Sequence, residues 1–223
     1  MTDMYDAIIF DNDGVLVGRT PFDTLREAAW TAFESVGITD PDPDHVETVA
    51  VGTTPEELTS ICSTYGLDPA EFWRVRDDVT TQAQIEDVHA GRKTLYDDLA
   101  ALRSLDVPLG IVSSNQQATI DFLMDHFDLD ARFRTAYGRE PTPAGLRRKK
   151  PDPHYIERAL DDLGAETALF VGDNESDITA AQAADIDSAF IRRPHRRDWD
   201  LEIDPTYDIR DLHDLVPICM AAL

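Results

Sequence analysis

The sequence predicts an α/β fold: a Rossmann-like parallel sheet core flanked by helices, with a small helical domain inserted after the first strand. Three observations predict it. Short apolar runs alternate with helical stretches over most of the chain, the pattern of parallel strands joined by crossover helices. One long early segment has helical periodicity and no strand-like run of comparable quality. Three of the four strand candidates end in polar residues, as strands do where an open sheet faces a ligand crevice.

The first strand is Tyr5–Phe10, a buried run leading into the acidic turn Asp11–Gly14. Val107–Val112 is the second and ends in Ser113-Ser114-Asn115. Ala168–Val171 ends in Gly172-Asp173-Asn174, and Ser188–Ile191 is the fourth. Helices are expected over Gln116–Phe127, Pro153–Leu163 and Ser176–Ala184, with Asp152 as N-cap and Pro153 in the first turn of the second. The insertion spans about Thr20 to Ala90. Its amphipathic stretches are Phe22–Val36, Pro55–Tyr65 and Pro69–Val88, separated by Gly37, Pro41, Pro43, Gly52, Gly66 and Pro69. Gly18 and Gly91 can serve as hinges. The expected division is a core of 1–18 and 91–223 and a helical domain of 19–90. Residues 138–150 read as a loop, and Asp204–Asp211 as a short edge element before a final helix.

Composition narrows the function classes. With 223 residues, 42% of them hydrophobic, the chain has material for one packed core and a smaller unit. Its net charge is −24, from 32 Asp and 12 Glu against 3 Lys and 17 Arg. Such a balance resembles that of proteins adapted to a salt-rich cytoplasm, where screening offsets self-repulsion. It argues against nucleic acid and anionic membrane as partners. No apolar run is long enough to span a bilayer. Met1 to Asp6 lacks the Lys or Arg of a secretory signal, so a cytoplasmic location is expected. Cys62 and Cys219 stand alone, without disulfide or zinc spacing, and the six His are scattered and read as structural.

The strand ends should bring Asp11 and Asp13, Ser113, and Asp173 with Asp177 to one crevice, and Lys150 can join them at a helix start. Lys149 is the alternative to Lys150, and Ser114 the alternative to Ser113. Clustered carboxylates repel unless a cation lies between them, and oxygen ligands select Mg2+. A hydroxyl and an ammonium suit phosphoryl oxygens, as do backbone N–H groups after Asp11. Gly14 lets the backbone approach a phosphate. The inventory fits phosphoryl transfer.

The pieces Phe10-Asp11-Asn12-Asp13-Gly14-Val15-Leu16, Ile111-Val112-Ser113-Ser114-Asn115, Lys149-Lys150-Pro151-Asp152-Pro153 and Val171-Gly172-Asp173-Asn174-Glu175-Ser176-Asp177 stand in one order along the chain. Together they resemble the haloacid dehalogenase superfamily, and the insertion is similar to the helical cap of its phosphoglycolate phosphatases and β-phosphoglucomutases. The resemblance implies that Asp11 is the nucleophile and Asp13 the acid/base, with Ser113 and Lys150 completing the catalytic set. It implies a phosphate site of Asp13, Gly14, Ser113, Ser114 and Lys150. Asp11, the Asp13 carbonyl and Asp173 would hold Mg2+, and Asp177 would orient metal waters or Lys150. Asp13 points to phosphate esters, because family dehalogenases lack an acid there and phosphonatases carry a small residue. The mutases carry a His in the early cap, and none stands near Asp23.

The expected activity is hydrolysis of a small phosphomonoester, phosphoglycolate or a sugar phosphate. A phosphomutase and a non-catalytic phosphometabolite binder are the alternatives. Other features have plainer readings. A structural calcium loop would need further ligands where Gly14-Val15-Leu16-Val17 stands. The basic run Arg192–Arg197 reads as a surface loop offsetting carboxylates, with attraction of an anionic substrate as the alternative. Trp30, Phe33, Phe72 and Trp73 read as packing within the cap. Gly52-Thr53-Thr54-Pro55-Glu56 resembles the cap loop that reaches toward substrate in relatives.

Overall fold

A computed structural model describes residues 5–220. Most of the Met1–Asp6 stretch and the outer ends of the expected core bounds, 1–4 and 221–223, lie outside them. Strand β1 (Ala7–Phe10) is buried at every residue and sits in the middle of the sheet. The insertion follows, with helices α1 (Phe22–Ser35), α2 (Pro43–Val51), α3 (Pro55–Tyr65) and α4 (Pro69–His89). The chain then runs β2 (Leu109–Gln116), α5 (Gln117–His126), β3 (Phe133–Arg139), α6 (Pro143–Arg148) and α7 (His154–Leu163). It ends with β4 (Ala168–Gly172), α8 (Glu175–Ala183), β5 (Asp187–Ile191), β6 (Tyr207–Ile209) and α9 (Leu215–Met220).

The six strands are parallel in the order β3-β2-β1-β4-β5-β6. The first three strands progress one way from β1 and the last three the other way. The switch point therefore lies between β1 and β4, where open α/β sheets hold their ligands. Ile9 pairs with Gly110 on one side and Phe170 on the other, so Asp11 emerges between the ends of β2 and β4. Apolar clusters cover both faces, one around Ile8, Phe10 and Leu169, the other around Ile9, Phe170 and Ile156.

The insertion has its own apolar cluster around Phe33, Leu58, Phe72 and Trp73, joined by Leu146 of α6. Its two connections to the sheet run side by side, tied by the Gly18 N–H donating to the Thr94 carbonyl at 2.9 Å.

Several expectations need correction. The segment 138–150 is no plain loop, since α6 starts at Pro143 with the Thr142 hydroxyl accepting from the Gly145 N–H. Pro43 does not separate helices but opens α2, where the Asp42 carboxylate accepts from the Asp44 N–H. Strand β3 goes unpredicted because Arg134 interrupts it and Arg139 closes it, in an edge strand that is buried mainly at its ends. Helix α7 starts at His154 rather than Pro153, although the Asp152 carboxylate does accept from the His154 N–H. Trp30 is 37% exposed and packs little, unlike its three aromatic companions.

Candidate active site

Asp11, Asp13, Ser113, Ser114, Lys150, Asp173 and Asp177 line one cavity of about 330 Å³ between the sheet and the insertion. Each reaches it for a local reason. The Asp11 N–H donates to the Val171 carbonyl, which extends the β1–β4 pairing by one residue and fixes the carboxylate at the strand end. Beyond it the chain turns tightly, with the N–H groups of Val15, Leu16 and Val17 all directed at the Asn12 carbonyl. Ser113 lies inside the last residues of β2, not after the strand, and its Oγ accepts from the Asn115 N–H.

Lys150, not Lys149, reaches Asp11. Its buried ammonium lies 2.8 Å from Asp11 Oδ1, 2.7 Å from Asp177 Oδ1 and 3.0 Å from the Val112 carbonyl, a full set of three acceptors. The other Asp177 oxygen accepts from the N–H groups of Asp173 and Asn174 at 3.0 Å each. Asp177 thus fixes both Lys150 and the turn that presents Asp173. Gly172 makes room for it, because a Cβ there would sit 2.3 Å from the Asp177 Cβ.

Gly14 packs behind the cavity wall. Its φ of +83° suits glycine, and a Cβ would come within 2.4 Å of Asp173 Oδ2. Its own N–H donates to the Val17 carbonyl. Its contribution is the missing side chain and not a hydrogen bond.

Asp11, Asp173 and Asp177 each offer an oxygen within 4.8 Å of the others, and all three are buried. Burial is the main reason that the Asp11 carboxyl is pushed up to about 7; Lys150 pulls it down, and Asp177 and Asp173 push it up further. Asp177 is likewise raised, chiefly by burial. Burial alone would lower Lys150, but the two carboxylates hold its ammonium above its ordinary range. Three buried carboxylates facing one ammonium leave a surplus of negative charge on hard oxygen donors. That donor set fits a divalent cation of the Mg2+ type.

The structure adds residues that sequence reasoning misses. The ammonium of Lys93 is fully buried and bonds to the Asp13 carboxylate, to Gln84 Oε1 at 2.8 Å and to Thr20 Oγ1 at 3.0 Å. Asn115 Nδ2 donates to the other Asp13 oxygen at 2.8 Å. Burial works against the Asp13 charge, yet Lys93 and then Asn115 hold its carboxyl below the usual range. The missed signal is scarcity: the chain has only three lysines, and Lys93, Lys149 and Lys150 all lie at this cavity or beside it.

The basic run is also turned partly inward. Arg193 is 5% exposed and bonds to Asp98 and the Val15 carbonyl. His195 Nε2 lies 2.6 Å from Asp173 Oδ2, and Arg196 lines the cavity. The run does offset carboxylates, and His195 does so at Asp173, from behind the residues that line the cavity.

Comparison with known proteins follows the same lines. Residues 8–191 match the family described as haloacid dehalogenase-like hydrolase. The chain belongs to this family. Among curated relatives, a phosphoglycolate phosphatase of Pseudomonas fluorescens is 25% identical over 224 residues, covering 96% of this chain and 79% of the relative. A phosphoglycolate phosphatase of Neisseria gonorrhoeae is 30% identical over 80% of this chain and 76% of its own. The pyrophosphatase PpaX of Oceanobacillus iheyensis is 29% identical over 56% of this chain, a match that spans 58% of that protein. Among solved structures, CbbY from Rhodobacter sphaeroides in complex with phosphate superposes with a TM-score of 0.69 at 17% identity, over 95% of this chain and 96% of that one. The chain thus shares the fold of that structure, seen here as an α/β sheet of six parallel strands flanked by helices. Among the described residues no helix is long and apolar enough to cross a membrane.

Proposed function

We propose that the protein is a Mg2+-dependent phosphomonoesterase that hydrolyses a small organic phosphate, phosphoglycolate or a sugar phosphate, through an aspartyl-phosphate on Asp11. The observation that carries this reading is the placement of Asp11: a buried strand-end carboxylate, paired to Lys150 and facing Asp173 across a cavity that Ser113 also lines. The phosphatases among the relatives support the substrate class.

In the first half-reaction an Asp11 oxygen attacks phosphorus, the P–O bond to the substrate alcohol breaks, and the leaving oxygen takes a proton from Asp13. In the second, water attacks the phosphoryl group and gives its proton to Asp13. The Asp11–phosphorus bond then breaks and inorganic phosphate leaves. Pairing with Lys93 suits Asp13 to the second step; the negative charge of a bound phosphate ester raises its proton affinity for the first. Ser113 and Ser114 hold phosphoryl oxygens, Lys150 sets its positive charge beside them at Asp11, and Gly14 leaves room for the Asp173 carboxylate. Mg2+, held by Asp11, the Asp13 carbonyl and Asp173, would neutralise charge on the phosphoryl oxygens; Asp177 keeps Lys150 and the Asp173 turn in place.

The helical unit, residues 19–90, serves as a cap that closes over substrate and excludes bulk water. The charge of −24 suits a salt-rich cytoplasmic setting. Hydrolysis of p-nitrophenyl phosphate in high KCl, with Mg2+ or with EDTA, tests the reading. Mg2+-dependent release of inorganic phosphate is expected. A folded protein that isomerises a sugar phosphate without releasing phosphate would contradict it.

A further inference from the structure

The cavity has two ends of opposite charge. The carboxylates of the catalytic end give way, where α4 and the loop after α2 meet the end of β3, to Arg76, Arg139 and Lys149. The guanidinium carbons of Arg76 and Arg139 each lie 4.8 Å from the centroid of the Trp73 ring. A single buried carboxylate, Asp77, serves both: Arg139 binds its two oxygens at 2.6 Å each and Arg76 binds one at 3.1 Å.

Lys149 donates to the Thr53 carbonyl at 3.2 Å. Burial, then Arg139, then Arg76 hold its ammonium below the ordinary range, and Glu57 pulls only weakly the other way. The nearby acids are committed elsewhere, Glu57 to the Thr54 N–H and Glu140 to Tyr155, Arg148 and Arg158. Three cations against one buried carboxylate, with Glu57 a weak counterion to Lys149, leave an excess of positive charge here, in a chain whose net charge is −24. Two wall residues also carry unsatisfied polar atoms. Thr53 Oγ1 and Trp73 Nε1 are buried without a hydrogen-bond partner, a state that costs free energy until a partner arrives.

We infer that this end of the cavity is a second oxyanion subsite, in which Arg139, Arg76 and Lys149, with Thr53 and Trp73, receive a carboxylate or second phosphate on the molecule whose phosphoryl group meets Asp11. The inference rests on the phosphatase reading and narrows its substrate class to small phosphomonoesters with a distal anion. A cavity of about 330 Å³ has room for such a molecule and little more.

The test compares kcat/KM for 2-phosphoglycolate, for its neutral amide 2-phosphoglycolamide, and for ethane-1,2-diol bisphosphate. The native protein is expected to favour an anionic ester over the amide by about tenfold to hundredfold, the span of one or two charge-assisted hydrogen bonds. Which of the two anionic esters is favoured tells a carboxylate from a phosphate occupant. In Lys149→Met the preference should fall by about tenfold, and Lys149→Arg should restore most of it. Thr53→Val, which removes a hydroxyl but no charge, should lower the same ratio by about threefold. Equal handling of acid, amide and bisphosphate, or a loss in Lys149→Met shared equally by all esters, would overturn the subsite and leave the phosphatase standing. Failure to hydrolyse any ester, p-nitrophenyl phosphate included, would overturn the phosphatase reading itself.

Discussion

Lys93, the residue with no exposure that follows the insertion, bonds to the carboxylate of Asp13, 80 positions earlier in the chain. The pair joins the second connection of the helical insertion to the turn after β1. Lys93 holds the charge and the position of Asp13, and in the proposed mechanism it acts through that carboxylate. Lys93→Met is expected to lower kcat by about a hundredfold, near the lower edge of what a placed acid–base group contributes, with KM little changed. A loss confined to KM would show that Lys93 serves substrate binding instead.

Asp77 and Arg139 tie α4 to the end of β3 through two bonds of 2.6 Å between buried groups. Removing one member of such a pair leaves the other charge buried alone. Asp77→Ala strands two guanidiniums and should cost about 3–5 kcal/mol. For a chain of this size that lowers Tm by roughly 10 °C, readable by thermal melting.

Gly14→Ala places a methyl group where Asp173 Oδ2 now lies and puts alanine at a φ of +83°. The expected result is a displaced Asp173 carboxylate and an apparent Mg2+ affinity weakened by about tenfold, as for other groups that orient metal ligands. A Mg2+ titration of phosphate release measures it.

Burial pushes Asp11 up to about 7 in the fold, against an ordinary value of 3.8. The folded state therefore binds its proton more tightly than the unfolded chain does. This contribution to stability is present below pH 4, is lost as pH rises from about 4 to 7, and is level above that. In EDTA, Asp11→Asn should gain on the native protein in Tm by roughly 5–10 °C between pH 4.5 and 7.5, since each pH unit of that window is worth about 1.4 kcal/mol and about 1 kcal/mol moves Tm by roughly 2–4 °C here. Differential scanning at several pH values reads the gap. A gap independent of pH would mean that Asp11 is not strained by burial.

Much of the core was legible because its signals are local. The runs Ile8-Ile9-Phe10 and Leu169-Phe170-Val171 are strands with no polar interruption, and the polar residues that follow them fall at one end of a parallel sheet by topology alone. Lys93 was not legible in this way. It follows Gly91 in a polar stretch, and only the return of the chain to β1 puts its ammonium beside Asp13. Helix α4 hides a second lesson. Its buried face is polar at Arg76, Thr80, Gln84 and Asp87, so a search for an apolar stripe passes over the face that lines the cavity or backs it. His195 was illegible for the same reason as Lys93, since its partner Asp173 is 22 positions away.

The phosphoryl group on Asp11 is the central claim, and rapid acid quenching during turnover of p-nitrophenyl phosphate with Mg2+ tests it most directly. Mass analysis of the quenched protein should find one phosphoryl group on the peptide that contains Asp11. It should find none in Asp11→Asn, whose turnover should fall by at least about a thousandfold. Sustained turnover in Asp11→Asn, or a phosphoryl group on another residue, would contradict the account.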